Sequence, residues 1–574
     1  MAIVSCLYPL AAQGRLRTEL QPGTATAFSF SEPVTITMKR SPSVQFSHRV
    51  LTGAAPLISL RQFGAAAVAC GLLLCCAPAL AQSAAPEVAT ATSTVETSHR
   101  LVIGGAELEY TATAGTLLVR LEKTGAAATM FYISYRKDGE DAAKRPITFV
   151  FNGGPGASAA WLHLGALGPQ RVALGDDGTV PPAPAQLVDN EQTWLRFTDL
   201  VFIDPVGTGY SREQPREQEA PGQARHPFWG IESDMNSLAE FMRLYLALNN
   251  RWESPKFLAG ESYGGFRVAA LVETLPAEFG IDLSGAVLIS PVIEYALNLG
   301  NDYLSLMSWV ALVPSYAATA FHQGKSRGAT GRDLNEVTAR AEAFSRRELL
   351  LALTSAAPRG STDEAQVLAR LAEITGLPTR VVERQRGRVP AELFAKRLLE
   401  DSGRIVGILD ASVSAPDPEP LSLAYPPRDP SVYTLAGPIV SAFNAYVRGP
   451  LNYRTDLRYQ LLNTDVLRAW NWTEGGSPEL PGVGQRLRNA LSLNPELKVL
   501  IAHGCFDLAT PYFASKYVME RLELNQAMFP NVQLRVYRGG HMMYTHTDAR
   551  EQLYLDVEAL YRPSVPVPVA TQPR

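Results

Sequence analysis

The stretch Phe257-Leu258-Ala259-Gly260-Glu261-Ser262-Tyr263-Gly264-Gly265 decides how this chain is read. A short apolar run leads into Gly-x-Ser-x-Gly, and Val268, Leu271, Val272 and Leu275 follow at helical spacing. Strand, tight turn, helix is the context of a nucleophile elbow, in which a serine side chain stands at the top of a sheet. The flanking glycines keep side chains from colliding with the adjoining strand and helix. Gly-x-Ser-x-Gly alone also fits an ordinary turn; the apolar run before it and the helical period after it favour the elbow.

Outward from the elbow, further continuous apolar runs each end in a Gly- or Pro-rich turn: Ile147 to Phe151, Leu200 to Ile203, Ala286 to Ile289, Val499 to Ala502 and Leu534 to Tyr537. Unbroken apolar runs are the mark of parallel strands buried on both faces. Helical segments lie between several of them, including Ile231 to Leu248 and Pro511 to Leu524. Arg100 to Tyr135 shows short alternating runs instead, which predict antiparallel strands joined by turns. The sum is a mostly parallel, doubly wound α/β sheet with an antiparallel amino-terminal edge, over residues 99–300 and 490–562. The interval 301–489 breaks the alternation. It predicts helices over Asp333 to Ser355, Thr362 to Ile374 and Ala391 to Leu399, then a Pro-rich loop at 415–420, and it reads as an inserted, mainly helical cap. The tail, 563–574, reads as disordered.

The first 82 residues are not read as fold. Gly64 to Ala81 is an apolar, small-residue run preceded by Arg49 and Arg61 and closed by Ala79-Leu80-Ala81, the pattern of a secretory signal and its cleavage site. A membrane anchor is the competing reading, but Pro78 and the run's length fall short of the ~20 apolar residues that a spanning helix needs. Because the signal begins so far in, the expected translation start lies near Met38, with residues 1 to about 50 absent from the protein made. Residues 83–98, rich in Ala, Thr and Ser, read as a flexible leader. The expected location is therefore outside the cytoplasm, periplasmic or extracellular. Four of the five cysteines fall before the cleavage site; Cys505 alone remains, so no internal disulfide is expected.

With 46% hydrophobic and 19% charged residues in 574, the chain has the make-up of a globular enzyme. A net charge of −4 gives no electrostatic hold on nucleic acid. No His-Glu-x-x-His and no Cys/His cluster at ligand spacing occurs, so neither a metal nor another cofactor is expected.

A serine hydroxyl needs a base to take its proton and an acid to orient that base. Among eight histidines, His541 stands in Gly539-Gly540-His541-Met542, directly after the run Leu534 to Tyr537. His503 at a strand end reads as a packed core histidine, and His163 and His226 as loop residues. Val499 to Ala502 leads into His503-Gly504-Cys505-Phe506-Asp507, which makes Asp507 the candidate acid. Ser262, Asp507, His541 is the chain order of α/β-hydrolases. Phe151-Asn152-Gly153-Gly154-Pro155-Gly156 follows another strand. Its backbone N–H groups suit an oxyanion hole made by Gly154 and completed by the N–H of Tyr263.

Asn152-Gly153-Gly154-Pro155-Gly156, Asp204-Pro205-Val206-Gly207-Thr208-Gly209-Tyr210-Ser211, Gly260-Glu261-Ser262-Tyr263-Gly264-Gly265, Gly504-x-x-Asp507 and Gly540-His541-Met542 occur in this order in the serine carboxypeptidase family, which the chain resembles from about 100 to 560. The resemblance implies an α/β-hydrolase that releases single residues from peptide carboxyl termini through an acyl-enzyme. It also implies that Asn152, the N–H of Gly153 and Glu261 bind the substrate's terminal carboxylate, Glu261 in its protonated form. An esterase or acyltransferase on the same triad is the nearest alternative, and a non-catalytic binding protein a more distant one. The sequence departs from the family pattern at three places. Ala166 stands where the family has a second glutamate, Ala157 where it has a cysteine, and Gly-His-Met-Met-Tyr replaces Gly-His-Met-Val-Pro. With Ala166 there, no neighbouring carboxyl is expected to raise the pKa of Glu261, and the pH optimum is expected nearer neutral than is usual for the family.

Overall fold

The computed structural model describes residues 94–215, 226–298, 305–327, 333–355, 361–474, 480–524 and 530–562. The signal segment, the proposed start and the tail lie outside them. Nine strands form the main sheet: β1 (Thr94–Ile103), β2 (Ala106–Arg120), β3 (Ala127–Lys137), β4 (Ile147–Phe151), β5 (Asp199–Ile203), β6 (Lys256–Glu261), β7 (Gly285–Ile289), β8 (Lys498–Gly504) and β9 (Val532–Tyr537). Their spatial order is β1-β2-β3-β5-β4-β6-β7-β8-β9, with the two-residue strand Arg212–Glu213 beside β3. The pairs β1–β2, β2–β3 and β3–β5 are antiparallel. From β5 onward every pair is parallel.

Alternate side chains of the central strands enter two different cores. Phe149, Leu258, Ala286, Leu288, Val499 and Ile501 pack on one face. Val150, Phe257, Ala259, Val287, Ile289 and Leu500 pack on the other. Both faces are dry, which is why these strands read as continuous apolar runs rather than alternating ones. Helix α1 (Ile231–Leu248) and helix α2 (Tyr263–Phe279) cover the first face.

Three expectations are corrected. Thr94–Ser98, assigned from composition to a flexible leader, are the first half of β1 and pair in register from Thr94↔Gly115 onward. Small and β-branched residues sit there because backbone pairing to β2 carries the strand, whose outer side chains stay exposed. Arg100 to Tyr135 holds three long strands joined by turns, not a series of short ones. The helix expected over Pro511 to Leu524 spans only Tyr512–Met519.

Within the interval 301–489, helix α3 (Leu306–His322) and the helices Leu334–Phe344, Thr362–Thr375 and Ala391–Arg397 share a third core with Phe506, Tyr512 and Phe513. The segment 333–355 is not one regular helix, since a π-turn at Ser345–Leu349 divides it. Helix α4 (Pro430–Arg448) instead contributes Leu435, Ile439, Phe443 and Val447 to the second sheet core. Helix α5 (Gly484–Leu493) contributes Leu487 and Leu491 to the first. No helix among the described residues is long and apolar enough to cross a membrane.

Candidate active site

Strand β6 delivers Ser262 into a backbone conformation that few non-glycine residues adopt, φ +63° and ψ −121°. Two bonds hold it there: Ser262 N–H donates to the carbonyl of Ile289 at 2.9 Å, and its own carbonyl accepts from Gly265 N–H at 2.9 Å. The turn closes only because of what its glycines lack. A Cβ on Gly260 would lie 2.2 Å from the carbonyl oxygen of Gly264. A Cβ on Gly153 would lie 2.4 Å from the backbone nitrogen of Tyr263. The Asn152–Gly154 loop at the end of β4 is thus seated directly on the elbow. The loop that carries Gly154 thus approaches the backbone of Tyr263 through its neighbour Gly153.

Asp507 lies past the end of β8 and is fully buried. Its Oδ1 accepts N–H bonds from Ala509 at 2.8 Å and Thr510 at 2.9 Å. Its Oδ2 accepts the Thr510 hydroxyl at 2.6 Å and lies 2.7 Å from His541 Nδ1. Burial works to raise the pKa of this carboxyl, but the His541 charge and these donors hold it below the usual carboxylate range. Burial works to lower the pKa of His541, and Asp507 beside it overrides that and raises it. A His541 ring with Nδ1–H donating to Asp507 presents Nε2 to the cavity as the base. Asn152, Gly153, Gly154, Glu261, Ser262 and His541 line one cavity. Ser262 Oγ makes no hydrogen bond to His541 among the described residues; both line that cavity, and such contacts tighten when substrate fills the space.

Glu261, at the end of β6, is buried. Burial pushes its pKa up to about 7, with Asp507 adding to the rise and His541, Tyr544 and Asn152 opposing it. The expectation that no neighbouring carboxyl would raise Glu261 with Ala166 in place is corrected in one respect, since Asp507 adds to a rise that burial dominates. Taking the group out of water raises its pKa by itself, and the triad aspartate adds to it. Asn152 is anchored at three points. Its Oδ1 accepts from Leu162 N–H at 3.2 Å, and its carbonyl accepts from Nη1 of Arg267. The third point is the Glu261 carboxyl beside its side chain. Arg267 is 1% exposed and is held in turn by Asp234 through Nε···Oδ2 at 2.7 Å.

His503 lies in the core, its Nε2 2.9 Å from Ser515 Oγ, as its strand-end position indicated. His163 is corrected from loop to helix: it opens a buried π-turn, with Nε2 2.7 Å from the Tyr135 hydroxyl.

Several contributors were not read from the sequence. Thr510 Oγ1 donates to Asp507 Oδ2 at 2.6 Å and lies 3.0 Å from the carbonyl oxygen of Ser290. Ser290 Oγ donates to the carbonyl of His541 at 2.7 Å. The ends of β7, β8 and β9 are thereby tied at the triad. Leu409, Val432 and Leu462 reach the same cavity from the interval 301–489 and, with Trp161 and Met542, give it apolar walls. One signal was available in the sequence: Asp507-x-x-Thr510 places a hydroxyl where a short loop folds back on an acid, as in an Asx-turn.

A parallel sheet crossed by a strained serine elbow, with an acid and a histidine presented from successive later strands, defines an α/β-hydrolase. Residues 110–322 match the family model described as "Serine carboxypeptidase". The chain is 28% identical over 178 residues to serine carboxypeptidase-like 5 of Arabidopsis thaliana, covering 29% of this chain and 38% of that protein. It is 27% identical over 178 residues to a carboxypeptidase Y homolog of Arthroderma benhamiae, covering 30% and 32%. The chain thus spans well under half the length of the curated relatives it matches. Among solved structures, proline iminopeptidase from Mycobacterium smegmatis superposes with a TM-score of 0.32 at 13% identity, covering 78% of this chain and 98% of that one.

Proposed function

We propose that this protein is an exported serine-type carboxypeptidase that removes single amino acids from the carboxyl termini of peptides. The observation that carries the reading is one cavity lined by the elbow serine, an Asp507-paired histidine and a buried glutamate that is neutral up to about pH 7. A neutral carboxyl there can donate to a carboxylate, whereas an ionised one would repel it.

The geometry supports the following course. The substrate's terminal carboxylate accepts from the Glu261 carboxyl, the Asn152 side-chain amide and the N–H of Gly153, and this fixes the last peptide bond over Ser262. Ser262 Oγ attacks the carbonyl carbon while His541 Nε2 takes its proton. The resulting oxyanion is received by the N–H groups of Gly154 and Tyr263. His541 returns the proton to the leaving nitrogen, the C–N bond breaks, and a free amino acid departs. Water then attacks the acyl-enzyme by the same route and regenerates Ser262. The apolar walls suit an apolar side chain next to the scissile bond.

Residues 301–489 would form the cap over this site, and the Ala79-Leu80-Ala81 signal would direct export. Amino-terminal sequencing of the exported protein tests the second point: a start near Gln82 supports it, and one far upstream removes it. The catalytic reading is tested with a blocked dipeptide carrying a free carboxyl. Release of the terminal amino acid, together with labelling by a fluorophosphonate probe, is expected. Hydrolysis of simple esters without any release of amino acid would turn the assignment to an esterase, and no labelling would end the enzyme reading.

A further inference from the structure

Tyr544 lies two residues beyond the histidine strand-end motif, in the one-turn helix Met543–Thr545, and is 1% exposed. Its hydroxyl donates to Oε2 of Glu261, 283 residues away. Burial first, and then the neighbouring Glu261, hold its pKa well above the usual tyrosine value, so the phenol keeps its proton throughout the working range. The ring has a prepared place. Gly165 lies against it, and a Cβ on Gly165 would come within 2.7 Å of Tyr544 Cε2. The backbone is also pinned, since the Tyr544 carbonyl accepts from Nη1 of the buried Arg550 at 3.1 Å.

A neutral carboxyl has one hydroxyl and one carbonyl oxygen, and the carbonyl oxygen is the better acceptor. A donor fixed on Oε2 therefore places the proton of Glu261 on Oε1 and stops the group from turning. We propose that Tyr544 is a positioning residue for terminal-carboxylate recognition: its phenol O–H occupies Oε2 of Glu261, so that Oε1–H is presented to the substrate carboxylate. The inference rests on the carboxypeptidase reading above. It supplies what that reading lacks, a reason for Glu261 to offer its proton in one direction only. No second carboxyl is required, because the tyrosine is a donor at every working pH. The other groups that face Glu261 are His541 and Asp507 of the triad and the Asn152 amide. All of them remain in the test variants.

The test compares wild type with Tyr544→Phe on a blocked dipeptide and on its carboxyl amide, as kcat and KM from pH 5 to 9. The variant keeps the ring and loses only the donor. We expect KM for the free acid to rise by about ten-fold, the loss of one hydrogen bond, with kcat and the amide little changed. We also expect the alkaline limb of kcat/KM to move up by as much as about one pH unit, because a donor to the charged carboxylate has gone. Gly165→Ala, which keeps every atom of the pair but pushes the ring aside, should shift the limb in the same direction. An unmoved limb with an unchanged acid-to-amide ratio in Tyr544→Phe overturns the inference, as does an equal loss on both substrates. If wild type releases no amino acid at all, the peptidase reading falls instead. The pair is then judged by the infrared carboxyl band assigned through Glu261→Gln. Its titration midpoint should rise in Tyr544→Phe, and a fixed midpoint rejects the pairing.

Discussion

Ser262, Asp507 and His541 owe their prominence in the sequence to local grammar: each follows an apolar run and sits among glycines that a strand-end turn requires. Asp507 and His541 are hydrogen-bonded at 2.7 Å, and both are buried. The hydroxyls that complete the site were not legible, because Ser290 meets His541 across 251 residues and Tyr544 meets Glu261 across 283. No local pattern encodes such pairs. Ser262→Ala should abolish turnover while leaving the fold intact. Since the triad works as a unit, loss of His541 should cost about as much, on the order of 10³-fold or more in kcat, and Asp507→Asn somewhat less. Retention of most activity by Ser262→Ala would sink the assignment. On the proposed mechanism the pH profile belongs to two groups. His541 must be neutral to act as base, so its raised pKa sets an acid limb somewhat above its ordinary value. Glu261 must be protonated to receive a carboxylate, so its pKa of about 7 sets the alkaline limb. The optimum should therefore be narrow and close to neutral. Glu261→Gln keeps a donor and cannot ionise; the fall above pH 7 should flatten while the acid limb stays. Superimposable wild-type and Glu261→Gln profiles would take Glu261 out of substrate recognition.

At the scale of elements, the parallel strands were legible because their burial on both faces removes polar positions. β1 was not, because an edge strand rests on backbone pairing and its outward side chains carry no apolar signal. The length of the helix after Asp507 was overestimated for a related reason. Its apolar period runs on past Met519, but those side chains pack beyond the last helical turn. The strand–elbow–helix unit carries strain at one residue. Ser262 holds φ +63° without being glycine, a conformation that costs of order 1–3 kcal/mol and persists only where the surroundings impose it. Ser262→Gly relieves that strain and Ser262→Ala does not. Chemical denaturation should find the glycine variant more stable than the alanine variant by about 1 kcal/mol, although glycine ordinarily costs more in the unfolded chain. Equal stability, or a more stable alanine variant, would mean that the elbow holds its serine without strain.

The whole molecule buries ionisable groups that push its pH dependence in opposite directions. Asp204 and Glu261 are acids whose folded pKa values are raised, mainly by burial, to about 6 and about 7. Between its unfolded and folded pKa the folded form of each holds a proton that the unfolded chain has lost, so stability falls as pH rises through that window. His163 and His503 are lowered by burial to about 3 and about 4. Between those values and the ordinary histidine pKa the unfolded chain holds the extra proton, so they make stability rise with pH. From about pH 4.5 to 6 all four windows overlap, two slopes down and two up, and their sum is nearly flat. Glu261→Gln removes one downward slope. Relative to wild type it should gain stability steadily from pH 4.5 to pH 7, by roughly 3 to 4 kcal/mol in all for a shift of about 2.5 units at about 1.4 kcal/mol each. Above pH 7 the difference should stop growing, because Glu261 is then ionised in both states. Guanidinium titrations of the two proteins at half-unit steps would show this. A constant offset across the range would mean that Glu261 ionises in the folded protein near its ordinary value, and would remove both the proton it is held to donate and the alkaline limb assigned to it.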